Sequence, residues 1–339
     1  MSKVIKKTSK KLSRSSKDLD IKVKEIAYQK SDDLHGSLLT LEFSGADINI
    51  PIINTIRRIS MDEIPIYAFP PELIKIEGNT SIFNNDYMRL RLSQIPIFNV
   101  DSKLDYLDRK YINHNIAFDD HAYVKYEKEK VIEIYINSYN NTPENMNVTT
   151  NDIKYIEDGE PVSKYSSKYP ILITQLRQNE TFKAHMKAAL SNGLRSNIFS
   201  ASSNTYFDEN EGKITLTVES QGQLSEYSIL EKSIKYILKK LEDFENNFTE
   251  RLKDNSKYEK NSTVIFEFEN EDHTMGEILN NSFQDHPKII FSGLSKPSPL
   301  ERLIKIKISS SDENPLKYML ESIDHLKNVY NQLLKEIKK

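Results

Sequence analysis

Asp272-His273-Thr274, with Glu277 three residues beyond the threonine, is the stretch of this sequence whose residue types come nearest to acid–base or metal-binding chemistry. A carboxylate beside an imidazole can orient a general base, and two such groups can hold a cation. The same residues also fit a simpler role. Thr274 as N-cap and Glu277 as its reciprocal partner spell T-x-x-E, the capping box that opens a helix. The helix reading is favoured, because no other histidine stands at ligand spacing from a carboxylate; Asp119-Asp120-His121 lies beside a Tyr- and Lys-rich strand and reads as surface. The chain has no cysteine, which excludes disulfides, thiolate zinc sites, iron–sulfur ligation and cysteine nucleophiles. Nine glycines among 339 residues leave few places for a glycine-built phosphate loop, and no carboxylate cluster suited to magnesium stands out. The expectation is therefore no catalytic residue, no metal site and no cofactor in this chain.

Arg57 and Arg58 invite a different chemistry, that of contact. They lie in DINIPIINTIRRISM, residues 47–61, where Ile48, Ile52, Ile56 and Ile59 fall on one helical stripe and Pro51 suits the first turn. At 100° per residue both arginines lie off that stripe, and planar guanidinium forks suit polar contacts at an interface. Bulk charge points away from nucleic-acid coating, since 47 basic and 50 acidic side chains give a net −3. Residues 1–17 hold seven Lys or Arg and no acid, a basic tail expected to stay solvated. No run of 18 apolar residues offers a membrane span.

The elements that would position these residues form a repeat. Leu230, Ile234, Ile237, Leu241, Phe244 and Phe248 recur at steps of four and three, as do Leu316, Met319, Ile323, Leu326, Tyr330, Leu333 and Ile337. Such seams mark helices packed along their length against another helix. Each long helix closes a unit of the same order. The first runs strand 38–43, short helix 47–61, Pro65 and long helix near 228–252; the second runs strand 263–268, short helix from Thr274, strands 288–291 and 302–308, and long helix near 314–338. Two such units can cover each other's apolar faces about a pseudo-two-fold axis. The fold class expected is α+β: a basic tail over 1–20, a first dimerisation unit over 21–66 and 170–255, a β-rich insert over 67–169, and a second unit over 256–339. Leu230, Ile234, Ile237, Leu241, Phe244, Leu316, Met319, Ile323, Leu326 and Leu333 are expected to pair the halves.

The second unit carries Glu271-Asp272-His273-Thr274-Met275-Gly276, Pro287 to Gly293, and Pro297-Ser298-Pro299-Leu300. In these it resembles the small alpha-like subunit of DNA-directed RNA polymerases, the archaeal L type. The first unit, through Asn54-Thr55-Ile56-Arg57-Arg58-Ile59, Asp62-Glu63-Ile64-Pro65 and Asn85 to Ile97, resembles the larger alpha-like subunit, the archaeal D type related to bacterial alpha. The resemblance implies a fused pair, as in large cytoplasmic DNA viruses such as poxviruses, serving as a non-catalytic assembly platform. It implies docking of the second-largest subunit by Asn54, Arg57 and Arg58. It also implies contact with the largest and the small polymerase subunits, DNA met only through the complex, and no homodimer. It further implies a place in a viral cytoplasmic factory or virion, or in the nucleus if the source is cellular. The cysteine-held zinc or iron–sulfur cluster of many relatives does not carry over. The competing reading is a free-standing DNA-binding transcription-accessory protein using the basic tail.

Overall fold

The computed structural model describes residues 19–30, 37–108, 129–253, 263–311 and 315–338. Residues 1–18 of the basic tail, the Asp119-Asp120-His121 triplet and residues 254–262 lie outside them.

The first unit is built on an antiparallel sheet of β1 (Lys22–Lys30), β2 (Ser37–Ser44), β12 (Ser202–Asn210) and β13 (Lys213–Ser220), in the order β1-β2-β13-β12. Alternation fixes its buried face: Leu39, Leu41 and Phe43 of β2 and Ile214, Leu216 and Val218 of β13 point inward. On that face lie α1 (Ile50–Asp62) and the long α3 (Glu226–Lys253), which follows the short α2 (Asn85–Ser93) of the insert. The α1 helix starts later than its apolar stripe implies. Asn49 is its N-cap, accepting from Ile52 N at 3.1 Å, so Ile48 precedes the helix and packs on the core from there. The second unit repeats the plan with β14 (Thr263–Glu269), α4 (His273–Asp285), β15 (Ile289–Ser295), β16 (Leu303–Ser310) and α5 (Pro315–Ile337), its sheet ordered β14-β16-β15. Ile304, Ile306 and Ile308 face in while Lys305 and Lys307 face out.

One hydrophobic cluster runs through both units. Leu39, Phe43, Ile56, Leu230, Ile237 and Phe248 from the first share it with Phe266, Leu279, Ile306, Met319, Leu326 and Leu333 from the second. The long helices α3 and α5 lie against each other, and α1 packs on α4. A single side chain such as Leu241 contributes roughly 1.5–3 kcal/mol when buried, and each seam position adds a contribution of that kind to the joining of the units.

The insert has its own cluster, from Tyr67 to Leu190. Its sheet takes β4 (Ile74–Asn79), β5 (Ile132–Tyr139), β7 (Ile153–Glu157), β8 (Glu160–Pro161) and β10 (Thr181–Lys187) in the order β4-β10-β5-β7-β8. A further pair joins β6 (Met146–Thr149) to β9 (Leu172–Leu176). The insert thus reaches about residue 190 and not 169. Phe182, Ala184 and Met186 bury against it because β10 pairs with β4 on one side and β5 on the other. The chain leaves and re-enters the platform through β3 (Ile66–Ala68) and β11 (Ala189–Ser191), paired Ile66 to Ser191 and Ala68 to Ala189. Among the elements that go beyond the sequence reading are the largely exposed β1, the edge strand β12, and α2, whose Asn84 side chain caps it by accepting from Tyr87 N at 2.8 Å.

Candidate interaction site at the junction of the two units

The ten residues expected to pair the halves, Leu230, Ile234, Ile237, Leu241, Phe244, Leu316, Met319, Ile323, Leu326 and Leu333, all lie buried in the shared cluster. Tyr330, fully buried on α5, reaches across with its hydroxyl 3.3 Å from the carbonyl of Ile52 on α1. Burial pushes the Tyr330 phenol well above its ordinary pKa, so it stays a neutral donor.

Around this apolar centre runs a polar seam. Arg58 does not stand free on α1: its Nε donates to Thr274 Oγ1 at 2.8 Å, and its Nη2 lies 4.0 Å from Asp272 Oδ2, both at the start of α4. Arg302, entering β16, sets Nη2 3.3 Å from Asp272 Oδ2 and 3.7 Å from Glu63 Oε1, just past the end of α1. Lys240 of α3 donates to Glu271 Oε1 at 2.9 Å, and its ammonium lies 5.5 Å and 5.9 Å from the Tyr106 and Tyr236 ring centres. Burial works to lower the Lys240 pKa, yet the Glu271 charge and hydrogen bond outweigh it and the pKa rises, so the lysine keeps its charge. Lys327 of α5 reaches Glu245 of α3 at 2.6 Å. Thr55 Oγ1 donates to Pro51 O at 2.8 Å and approaches Thr274 O at 3.3 Å.

The cap of α4 differs from expectation. Asp272 is the N-cap, its carboxylate accepting from Thr274 N at 2.8 Å, while the Thr274 hydroxyl serves Arg58. Glu277 is exposed, with its carboxylate 4.0 Å from His273 Nδ1. The T-x-x-E box is therefore not formed. Asp and Thr both cap well, and extended φ, ψ at Asp272 starts the helix two residues earlier, so that Thr274 N is the orphan amide served. Burial raises the Asp272 pKa, but the Thr274 bonds and the Arg302 and Arg58 charges prevail, holding the carboxyl below its ordinary range.

Arg57 faces away from this seam. Its Nε donates to Asn54 Oδ1 at 2.9 Å, Nη1 rests 3.8 Å from Met61 Sδ, and burial together with the adjacent Arg58 charge lowers its pKa. Asn54 thus orients Arg57 on the half-exposed side of α1. Against the C-terminal end of α1 lies the turn after β11. Gly193 passes so close that a Cβ would stand 2.9 Å from Asp62 Cα and Met61 O, and Leu194 N donates to Asp62 O at 3.2 Å. Lys240, Glu63 and Arg302 escaped the sequence reading. Their signal was faint: a lysine adjoining the Leu241 seam position, one acid inside the Asp62-Glu63-Ile64-Pro65 motif, and an arginine at the head of the 302–308 strand.

Among the described residues no group of three or more His, Asp or Glu side chains could hold a metal ion, and the insert offers no thiolate. These residues do not fit the cysteine-held zinc or iron–sulfur cluster of many alpha-like relatives. No described helix is long and apolar enough to cross a membrane.

Residues 263–336 match the family model of the RNA polymerase Rpb3/Rpb11 dimerisation domain. Over 348 aligned positions, covering 95% of this chain and 97% of the relative, the sequence is 27% identical to a putative DNA directed RNA polymerase subunit R470 of Acanthamoeba polyphaga mimivirus. A shorter match, 28% identical over 75 residues, joins 22% of this chain to 60% of a probable DNA-directed RNA polymerase II subunit RPB11 of Plasmodium berghei. A Plasmodium chabaudi chabaudi protein of the same description matches at 28% over the same length. The matched domain coincides with the second unit, and the long match carries the similarity through the first unit and insert. The chain is an alpha-like relative of DNA-directed RNA polymerase subunits, built around an Rpb3/Rpb11 dimerisation domain.

Proposed function

We propose that this chain is a non-catalytic assembly platform of a multisubunit DNA-directed RNA polymerase, an intramolecular heterodimer of the two alpha-like subunits. The observation that carries the reading is the single hydrophobic cluster in which α3 and α5 bury each other's seams. It supplies within one polypeptide what a dimerisation domain otherwise obtains from a second. Tethering places the halves at an effective concentration of roughly millimolar, so the platform assembles without a bimolecular step.

On this platform Asn54 and Arg57 form the docking edge for the second-largest subunit, with the outer side of Arg58 beside them. The largest subunit and the small polymerase subunits attach elsewhere, and DNA is met only through the complex. The similarity to a giant-virus protein supports a site of action in a cytoplasmic viral factory or virion. The same matches favour the platform over a free-standing DNA-binding accessory protein.

Affinity purification of the tagged full chain from its source, followed by mass spectrometry, tests both levels. The platform reading expects both large polymerase subunits, and their absence overturns it. Arg57→Ala is expected to lose the second-largest subunit while the urea midpoint stays near that of the parent. Full recovery of that subunit removes the docking assignment.

A further inference from the structure

The polar seam has a property that the apolar cluster lacks: it is asymmetric. Helices α1 and α4 both span 13 residues and open on side-chain caps, Asn49 and Asp272. Aligned at those caps, Ile48 stands opposite Glu271, Pro51 opposite Thr274, and Arg58 opposite Asn281. Each helix reaches the other's N-terminus with the same position. Arg58 meets Thr274 and Asp272, while Asn281 Oδ1 accepts from Asn49 Nδ2 at 2.9 Å. The geometry is that of an isologous dimer, but the chemistry on the two sides differs.

We propose that this seam is a pairing code, which makes each unit complementary to the other and hostile to a second copy of itself. Two first units placed together would bring Arg58 to a helix N-terminus capped by neutral Asn49, with Pro51 where Thr274 supplies its hydroxyl. The positive end of the helix dipole repels a guanidinium there, and neither the cap nor the first turn of α1 supplies a carboxylate as Asp272 does. Lys240, whose side chain is only 11% exposed, would lose Glu271 and face Ile48. Two second units would leave Glu271, 8% exposed at its side chain, against α5, whose buried residues include no lysine or arginine. A buried ion left without its partner is strongly unfavourable. Apolar seams of similar spacing on α3 and α5 accept either arrangement, so the charges carry the choice. The choice is independent of any docking by Arg57, which faces the other way.

The test uses the full chain. Lys240→Glu and Glu271→Lys each set like charges across a buried contact, so each single variant lowers the urea midpoint. The double variant Lys240→Glu/Glu271→Lys restores opposite charges and recovers most of that loss. Two differently tagged full-length copies are then co-expressed, one with Lys240→Glu and the other with Glu271→Lys. Alone, each copy carries a mismatched seam; exchanging units between copies restores opposite charges at both junctions. Co-purification through both tags therefore exceeds that of two parent copies. A double variant no more stable than the singles, or co-purification no greater than the parent's, overturns the code.

Discussion

Leu326→Ala is the sharpest test of whether the two units are one body. Leu326 is 4% exposed on α5 and belongs to the cluster shared with the first unit. Truncating a leucine in such a place costs about 2–5 kcal/mol, the transfer loss of the removed methyls plus the cavity they leave. Taking a middle value of about 3 kcal/mol, an opening equilibrium rises by roughly 150-fold. Amide hydrogen exchange reads this locally. Leu39, Leu41 and Phe43 of β2 and Ile214, Leu216 and Val218 of β13 are far from residue 326 in sequence, yet they bury into the same interior. If the interior opens as one cooperative unit, their amides exchange about 10²-fold faster in the variant, in step with β14 and β16. Exchange accelerated over 263–338 alone, with β2 and β13 as protected as in the parent, would refute the shared-core argument, whatever the total stability loss.

Two further outcomes follow from the seam and its surroundings. Asp272→Ala removes the α4 N-cap together with a carboxylate partner of Arg58 and Arg302, and should cost at least about 1–2 kcal/mol, against about 1 kcal/mol for the single hydroxyl bond lost in Thr274→Ala; a larger urea-midpoint loss from Thr274→Ala would return the cap to the threonine. Burial lowers the His325 pKa from its ordinary 6.5, with Asp47, Asp324 and Asp285 pulling the other way. The unfolded chain therefore takes up that proton first, and stability falls as pH drops below the ordinary value. His185, also lowered chiefly by burial, adds to the same slope, so the measurement is the midpoint change between about pH 7.5 and 5.5 in the parent minus that in His325→Gln. A difference of zero or of opposite sign contradicts the assignment.

What the sequence disclosed and what it hid divide along locality. The 3.5-residue spacing of Leu230 to Phe248 and of Leu316 to Ile337 is a property of one helix, and both seams are buried in full. The strand at 302–308 was legible for the same reason, its Ile304, Ile306 and Ile308 alternating with lysines. The end of the insert was not legible, because the membership of β9 and β10 is decided by their partners, β6 for the one and β4 and β5 for the other, which no local pattern names. β1 hid because KVKEIAYQK buries little and so shows no clean period. The direction of Arg58 was hidden as well. Placement off the Ile52/Ile56/Ile59 stripe says that a side chain leaves its own core, and only the position of α4 says that it enters a neighbour's boundary. The cap went the same way, since Asp272 and Thr274 are equally competent and backbone conformation decides between them.

The insert's two connecting strands, β3 and β11, lie side by side with Ala68 opposite Ala189. The excursion of more than a hundred residues thus departs and comes home at one spot, its entrance and exit hydrogen-bonded together. A module hung from such a gateway can lengthen, shrink or exchange its contents while the path of the chain through the platform stays unbroken. Loss of a cluster-binding lobe, or growth of a new one, therefore requires no rethreading of the parent architecture, only a fresh turn across the gate.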